Sequence, residues 1–185
     1  DKGGKTNARK RSRNNQSQRA GAYVMYERRF ILRAIKCAEK ACAIDDVPVG
    51  CVIVHDGKVI ASGYNRREND KNALKHAEIT AINRACKKLG GWRLIDCDMY
   101  VTLEPCTMCG GAIMNSRIKN VYVGLHDEKS GAFGSVCDLS KMGLNHKVNV
   151  EFGYEEEKCY ELLHEYFLKL RELRKKKKEI AKSQP

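Results

Sequence analysis

The sequence predicts a single α/β domain, and three features predict it. Five short runs rich in β-branched and aromatic residues alternate with stretches of helical period. Asp56-Gly57, set between two of these runs, is a strong two-residue hairpin signal. A later run passes without a spacer into a Glu-Pro-Cys turn and a further helix, the kind of strand-to-helix connection on which open α/β sheets place their sites. At 185 residues the chain has the length of one domain with a substantial core.

In chain order, residues 1–22 are polar and basic with no hydrophobic period, and are expected to be a disordered extension. The globular domain is expected over 23–174. From about Tyr23 to Ala43, Phe30, Ile31, Ala34, Ile35, Ala38 and Ala41 recur at helical steps, and Asp45-Asp46-Val47-Pro48 ends the helix. Gly50–His55 and Lys58–Gly63 read as strands on either side of the hairpin turn, followed by a loop over Tyr64–Lys75. Residues 76–89 are helical and stop at Gly90-Gly91. Met99–Leu103 is the third strand, 106–116 a helix, and Val121–Leu125 the fourth strand. The loop over 126–146 is far longer than an ordinary connection, which marks it as a binding loop or lid. Val148–Phe152 is a short fifth strand, and a long helix runs from Glu155 to about Lys178, acidic at its start and basic at its end. Residues 175–185 form a basic C-terminal tail.

Charge is unevenly placed. Residues 1–20 carry seven Lys/Arg against Asp1, and residues 169–185 carry eight against Glu172 and Glu179, whereas 21–168 holds twenty of each sign. A neutral body with two basic arms points to a polyanionic partner, nucleic acid first, although basic tails also serve solubility. No apolar run reaches the roughly 18 residues a membrane helix requires, and no signal-peptide core follows the basic N-terminus. Nine cysteines with no export signal fit a reducing, cytoplasmic setting, with two cysteines on a metal and the others free thiols.

Two runs carry the chemistry: His76-Ala77-Glu78 and Pro105-Cys106-Thr107-Met108-Cys109. H-x-E followed by P-C-x-x-C is a known signature of zinc nucleobase deaminases. Its spacing is physically sensible. Cys106 and Cys109, three apart, present both sulfurs on one side of a helix start, with Pro105 expected just inside that start. The positive end of the helix dipole favours thiolates there. His76 completes a three-ligand set, which leaves one tetrahedral position open and marks a catalytic zinc, one per chain. Glu78 is not needed as a ligand, and proton transfer between water, ring nitrogen and departing ammonia is its natural task.

Taken with Val47-Pro48-Val49-Gly50, Gly63-Tyr64-Asn65-Arg66, Leu103–Gly110, Gly124–Ser135, Asn145-His146 and Tyr166-Phe167, these motifs make the chain from about Tyr26 to Arg171 resemble the bacterial tRNA-specific adenosine deaminases. That family belongs to the cytidine deaminase-like superfamily. The resemblance implies a three-layer α/β/α sandwich around a five-stranded mixed sheet, and a homodimer whose tRNA sites are shared between subunits. It implies hydrolysis of adenosine to inosine at the first (wobble) anticodon position, usually of an arginine tRNA. By position, Asn65 and the Ala77 N–H would hold the purine, and Pro48 and Val49 would line its pocket. Asp127, Lys129, Asn145 and His146 would contact the anticodon loop, with Phe167 and Arg171 beside neighbouring bases. Plainer roles stand next to these: Asn65 as a turn cap, Asp127 and His146 as partners of loop backbone, Phe167 as a core aromatic. The N-terminal 22 residues and the long Lys run depart from the family pattern, as does Leu168.

Two other functions compete. A free-base or nucleotide deaminase of the same superfamily, acting on guanine or deoxycytidylate, would share the zinc motifs but has no use for basic arms. A non-catalytic RNA-binding subunit would keep zinc for folding alone, and the intact Glu78 argues against it.

Overall fold

The computed structural model describes residues 28–183. The expectations for 1–22, and for the first helix over 23–27, lie outside the described residues. Helix α1 covers 28–42. It is followed by β1 (Gly50–His55), β2 (Lys58–Tyr64), α2 (Arg67–Asp70), α3 (Ala77–Leu89), β3 (Cys97–Leu103), α4 (Thr107–Ser116), β4 (Asn120–Leu125), β5 (Asn149–Phe152) and α5 (Glu156–Ser183). The sheet order is β2-β1-β3-β4-β5. β1 runs antiparallel to β2 and β3, and β3, β4 and β5 are mutually parallel.

Alternation along the strands builds the layers. Cys51 and Ile53 of β1, Met99 and Val101 of β3, and Val121 and Val123 of β4 face one side, where they pack with Ala77, Ala81 and Ala85 of α3 and Ile113 and Met114 of α4. Val52, Val54, Tyr100 and Tyr122 face the other side and meet Phe30, Ile31, Ala34 and Cys37 of α1. α5 joins α1 on that face: a Cβ placed on Gly124 would lie 2.5 Å from Cys159 Sγ. This is the expected three-layer sandwich with a five-stranded mixed sheet.

The hairpin turn has Asp56 at φ 49° and Gly57 at φ 68°, the paired positive φ values of a type I′ turn. Two glycines permit helices to lie directly on strands. A Cβ on Gly50 would sit 2.0 Å from the Ala34 carbonyl of α1, and one on Gly63 would sit 2.1 Å from the Ala77 carbonyl of α3. The second contact seats the start of α3, and so the first metal motif, against β2.

Several boundaries differ from expectation. The loop after β2 contains the short α2, held because buried Asp46 accepts the Glu68 N–H at 2.8 Å and the Val47 N–H at 2.9 Å. Pro105 lies outside α4 rather than within its first turn, because Cys106 itself is the N-cap. α5 continues to Ser183, well past Lys178, so the segment read as a tail is largely helix. No helix among the described residues is long and apolar enough to cross a membrane.

Candidate active site

The site forms where two helix starts converge at the carboxyl end of β3. His76 is the N-cap of α3 (φ −77°, ψ 155°) and Cys106 the N-cap of α4 (φ −71°, ψ 174°). N-cap side chains ordinarily accept hydrogen bonds from the first-turn N–H groups. Neither does so here, so both point toward each other instead. His76 Nδ1 lies 3.5 Å from Cys109 Sγ and 3.8 Å from Cys106 Sγ, and all three donor atoms lie within 4.8 Å of one another. Tetrahedral zinc with ordinary Zn–N and Zn–S bonds separates N from S by about 3.6 Å. The donor set and its spacing therefore fit zinc.

One of the two thiols is prepared for a cation. A hydrogen bond from Cys109, and then one from His76, draws the Cys106 thiol down to about 4 against the cost of its burial. Cys109, which shares its proton with Cys106 and is buried, is held well above the ordinary thiol range. Hydrogen bonding to Cys106 raises His76.

Glu78 follows in the first turn of α3 and is 3% exposed. Among the described residues its Oε2 is a buried side-chain oxygen with no hydrogen-bond partner. Leaving such a group unmatched costs about 1–3 kcal/mol, a cost expected only where the oxygen has work to do. Burial raises its pKa above the usual carboxylate range. A carboxyl so placed carries protons readily.

The residues expected to line the purine pocket are tied to this cluster by hydrogen bonds. Asn65 is buried; its N–H donates to the Val49 carbonyl at 3.1 Å, and its Oδ1 accepts the Ala77 N–H at 2.9 Å. Buried Pro48 and Val49, Asn65 and Ala77 thus stand together beside His76 and Glu78. The Ala77 N–H, expected to help hold a purine, is donated to Asn65 Oδ1 in this structure.

The other expected RNA contacts fall in three places. The loop carrying Asp127 and exposed Lys129 lies against the Cys106 turn, through a bridge between Cys106 and Gly131 and a 2.9 Å bond from Ala132 N–H to the Pro105 carbonyl. Within that loop Asp127 accepts the N–H groups of Lys129 (3.0 Å) and Ser130 (3.3 Å) and the Ser130 hydroxyl, so it shapes the turn. Phe167 is 39% exposed and packs edge-on to Tyr166, whose hydroxyl donates to the Asp45 carbonyl at 3.1 Å. This carries Phe167 near the segment leading to Pro48, one turn of α5 before exposed Arg171. Asn145 and His146 are elsewhere. Asn145 Oδ1 accepts from Arg117 Nη1 at 3.0 Å and His146 Nε2 donates to the Ile118 carbonyl at 2.7 Å. That turn precedes β4, at the opposite end of the sheet from the same chain's metal cluster.

One organising residue escaped the sequence reading. Glu104, between β3 and Pro105, has a side chain fully withdrawn from solvent. It accepts the N–H groups of Phe133 (2.9 Å), Asp127 (3.1 Å) and Ser135 (3.2 Å) and the Ser135 hydroxyl. It thereby fastens the 126–135 loop to the turn that carries Cys106. The signal in sequence was a lone carboxylate closing an apolar strand, ahead of a loop rich in Gly and Ser.

Comparison with known proteins agrees with this geometry. A profile of MafB19-like deaminases matches residues 25–171. A tRNA-specific adenosine deaminase of Bacillus subtilis is 43% identical over 155 residues, which cover 83% of this chain and 94% of that protein. The chain belongs to the tRNA-specific adenosine deaminase family. A solved structure from work on A-to-I editing by tRNA deaminases at the wobble position superposes with a TM-score of 0.70 at 43% identity, covering 73% of this chain and 99% of that one. A guanine deaminase of Bacillus subtilis is more distant, with a TM-score of 0.50 at 32% identity over 63% of this chain and 85% of its own. The likeness to the tRNA-specific adenosine deaminases therefore extends over nearly the whole length of those proteins.

Proposed function

We propose that this protein hydrolytically deaminates adenosine to inosine at the wobble position of a tRNA anticodon, with one zinc ion per chain. The observation that carries the reading is the buried, partnerless Glu78 oxygen beside the His76, Cys106 and Cys109 donors, in a chain of this family. When bound by those three residues, zinc supplies the Lewis acidity that makes water nucleophilic near neutral pH. The chain's own residues do the rest. Glu78 accepts a proton from the attacking water and passes it to the purine ring nitrogen. A second transfer delivers a proton to the departing amino group, so that water is consumed and ammonia released. Asn65 orients the purine through its amide, against the wall formed by Pro48 and Val49. Pro48, Val49, Asn65 and Glu78 are all buried, so the adenosine must be flipped out of any stack to reach them, which an anticodon loop permits at low energetic cost.

The anticodon loop, of an arginine tRNA by family resemblance, meets Asp127 and Lys129 next to the metal turn, with Phe167 and Arg171 beside the pocket entrance. Asn145 and His146 lie at the far end of the sheet, so they serve RNA held at the cluster of a second copy, as a cytoplasmic homodimer with shared sites requires. The test is inosine formation in an unmodified anticodon stem-loop with adenosine at the first anticodon position, alongside free adenosine, cytidine and guanine. Turnover of the stem-loop alone is expected. Turnover of free guanine or a free nucleoside, with an inert stem-loop, would overturn the tRNA reading and return the chain to the free-base deaminases.

A further inference from the structure

At the opposite end of the parallel strands lies a groove of about 350 Å³, lined by Arg93, Asp96, Arg117, Lys119, His146 and Lys147 among others. We propose that this groove is a second RNA-binding site, one that takes backbone phosphates of the substrate outside the catalytic pocket. The proposal rests on the tRNA reading above and extends it from His146, already placed on RNA there, to Arg93, Arg117, Lys119 and Lys147, which have no part in that reading.

Four permanent cations converge here against the single carboxylate of Asp96. This is a local excess, since residues 21–168 as a whole are neutral. Asp96 offers little neutralisation: it stands 3.8 Å from Lys119, and both side chains are mostly exposed. Convergent cations in a concavity concentrate the field that attracts an anion.

Two of the cations are held in place. The Arg93 guanidinium lies 4.1 Å from the centre of the Trp92 ring. Arg117 occupies the C-cap of α4 at φ 66°, and its Nη1 bonds the Met114 carbonyl and Asn145 Oδ1, both at 3.0 Å. Capping therefore employs Nη1, and the guanidinium fork is fixed at the rim of the groove. Lys119 and Lys147 are exposed on the approaches to β4 and β5.

The layout suits a strand of phosphates better than one phosphate group. The entrances of β3, β4 and β5 are neighbours in the sheet, and two strand spacings spread the cations over about 10 Å. The metal cluster lies beyond the other end of β3, a seven-residue strand. Groove and cluster of the same chain are therefore separated by roughly 20 Å of sheet. Contacts at that distance position an RNA without touching the base reacting at the same chain's cluster, which is the role of backbone contacts in general.

The test uses the zinc-loaded full chain and an unmodified tRNA, with affinity measured across a salt series. The variant Arg93→Ala/Lys119→Ala/Lys147→Ala removes three exposed cations and spares Arg117, which caps a helix. Arg33→Ala/Lys36→Ala/Lys40→Ala removes the same charge from the outer face of α1. The groove variant is expected to bind at least about tenfold more weakly at ~0.1 M salt, with the slope of log affinity against log salt reduced by about 2–3, while the α1 variant changes far less. Thermal midpoint and zinc content should match the parent in both. Unchanged affinity and slope in the groove variant would overturn the proposal, as would equal weakening in the α1 variant. A changed sedimentation mass in the groove variant would make the groove a contact between copies and also overturn it. Should the parent itself neither bind nor deaminate tRNA, the tRNA reading fails and this proposal with it; groove-independent binding by an active parent fails the proposal alone.

Discussion

Glu104→Gln is the most informative single substitution, because it preserves shape while altering the anchor of the 126–135 loop. The carboxylate accepts three backbone N–H groups and one hydroxyl from the 126–135 loop. An amide in its place turns one acceptor into a donor. The O that replaces Oε1 can still accept from Phe133 and Ser135, as a neutral group. The NH₂ that replaces Oε2 opposes the Asp127 N–H, whereas the Ser135 hydroxyl can rotate to adapt. Bonds to a charged acceptor contribute about 1.5–3 kcal/mol and neutral ones about 1 kcal/mol. One lost bond and two weakened ones therefore amount to about 3 kcal/mol, or a fall in Tm of roughly 6–12 °C for a chain of this size. Urea unfolding at fixed zinc should show the midpoint falling with an unchanged m-value. Because the loop also carries Asp127 and Lys129, KM for the stem-loop should rise while zinc content is retained. A urea midpoint and a KM both equal to the parent's would refute the claim that Glu104 holds the loop.

Four further outcomes are expected. Glu78→Gln should retain one equivalent of zinc and lose turnover by about 10²–10⁴-fold, the usual contribution of a positioned acid–base group, as measured by metal analysis and inosine formation. Gly63→Ala would place its Cβ 2.1 Å from the Ala77 carbonyl and 2.8 Å from the Ala81 nitrogen, so α3 must shift and carry His76 with it. A loss of about 1–3 kcal/mol in chemical unfolding is expected, with weaker zinc retention. Gly111→Ala is the contrast: a Cβ there meets nothing within 4 Å in the interior of α4, and unfolding should show a gain of about 0.4–1 kcal/mol. Acid sensitivity follows from Glu104. Burial alone would raise its carboxyl, but the hydrogen bonds from Ser135, Phe133 and Asp127 outweigh it and hold the carboxyl below the usual range. A depressed carboxylate contributes stability above the unfolded value, near pH 4.3, and loses it as pH falls through the lower folded value. Stability measured against pH should therefore fall less steeply below about pH 4.3 in Glu104→Gln than in the parent.

Much of the molecule was legible in the chain, because the signals were local. The hairpin follows from Asp56-Gly57, where two positive φ values must occur in succession. The strands were legible because apolar residues alternate between two buried faces, one served by α1 and α5 and one by α3 and α4. The cluster of His76, Cys106 and Cys109 was legible because each motif needs only a helix start to aim its side chains. The boundary at Pro105 differs by one residue: Cys106 takes the N-cap itself, and a cysteine whose side chain makes no cap hydrogen bond carries none of the usual Ser, Thr or Asp signal.

What the sequence alone determined, then, is the α/β class and the two short motifs that carry His76, Glu78, Cys106 and Cys109, since each rests on residues a few positions apart. The tertiary structure decided what depends on contacts between distant segments. It placed His76 Nδ1, rather than Nε2, toward the sulfurs, gave the Ala77 N–H to Asn65, and made Glu104 the clasp of a loop more than twenty residues away. It also carried Asn145 and His146 to the far end of the sheet, because a parallel strand after a long crossover must begin where its neighbour begins, on the side away from the metal.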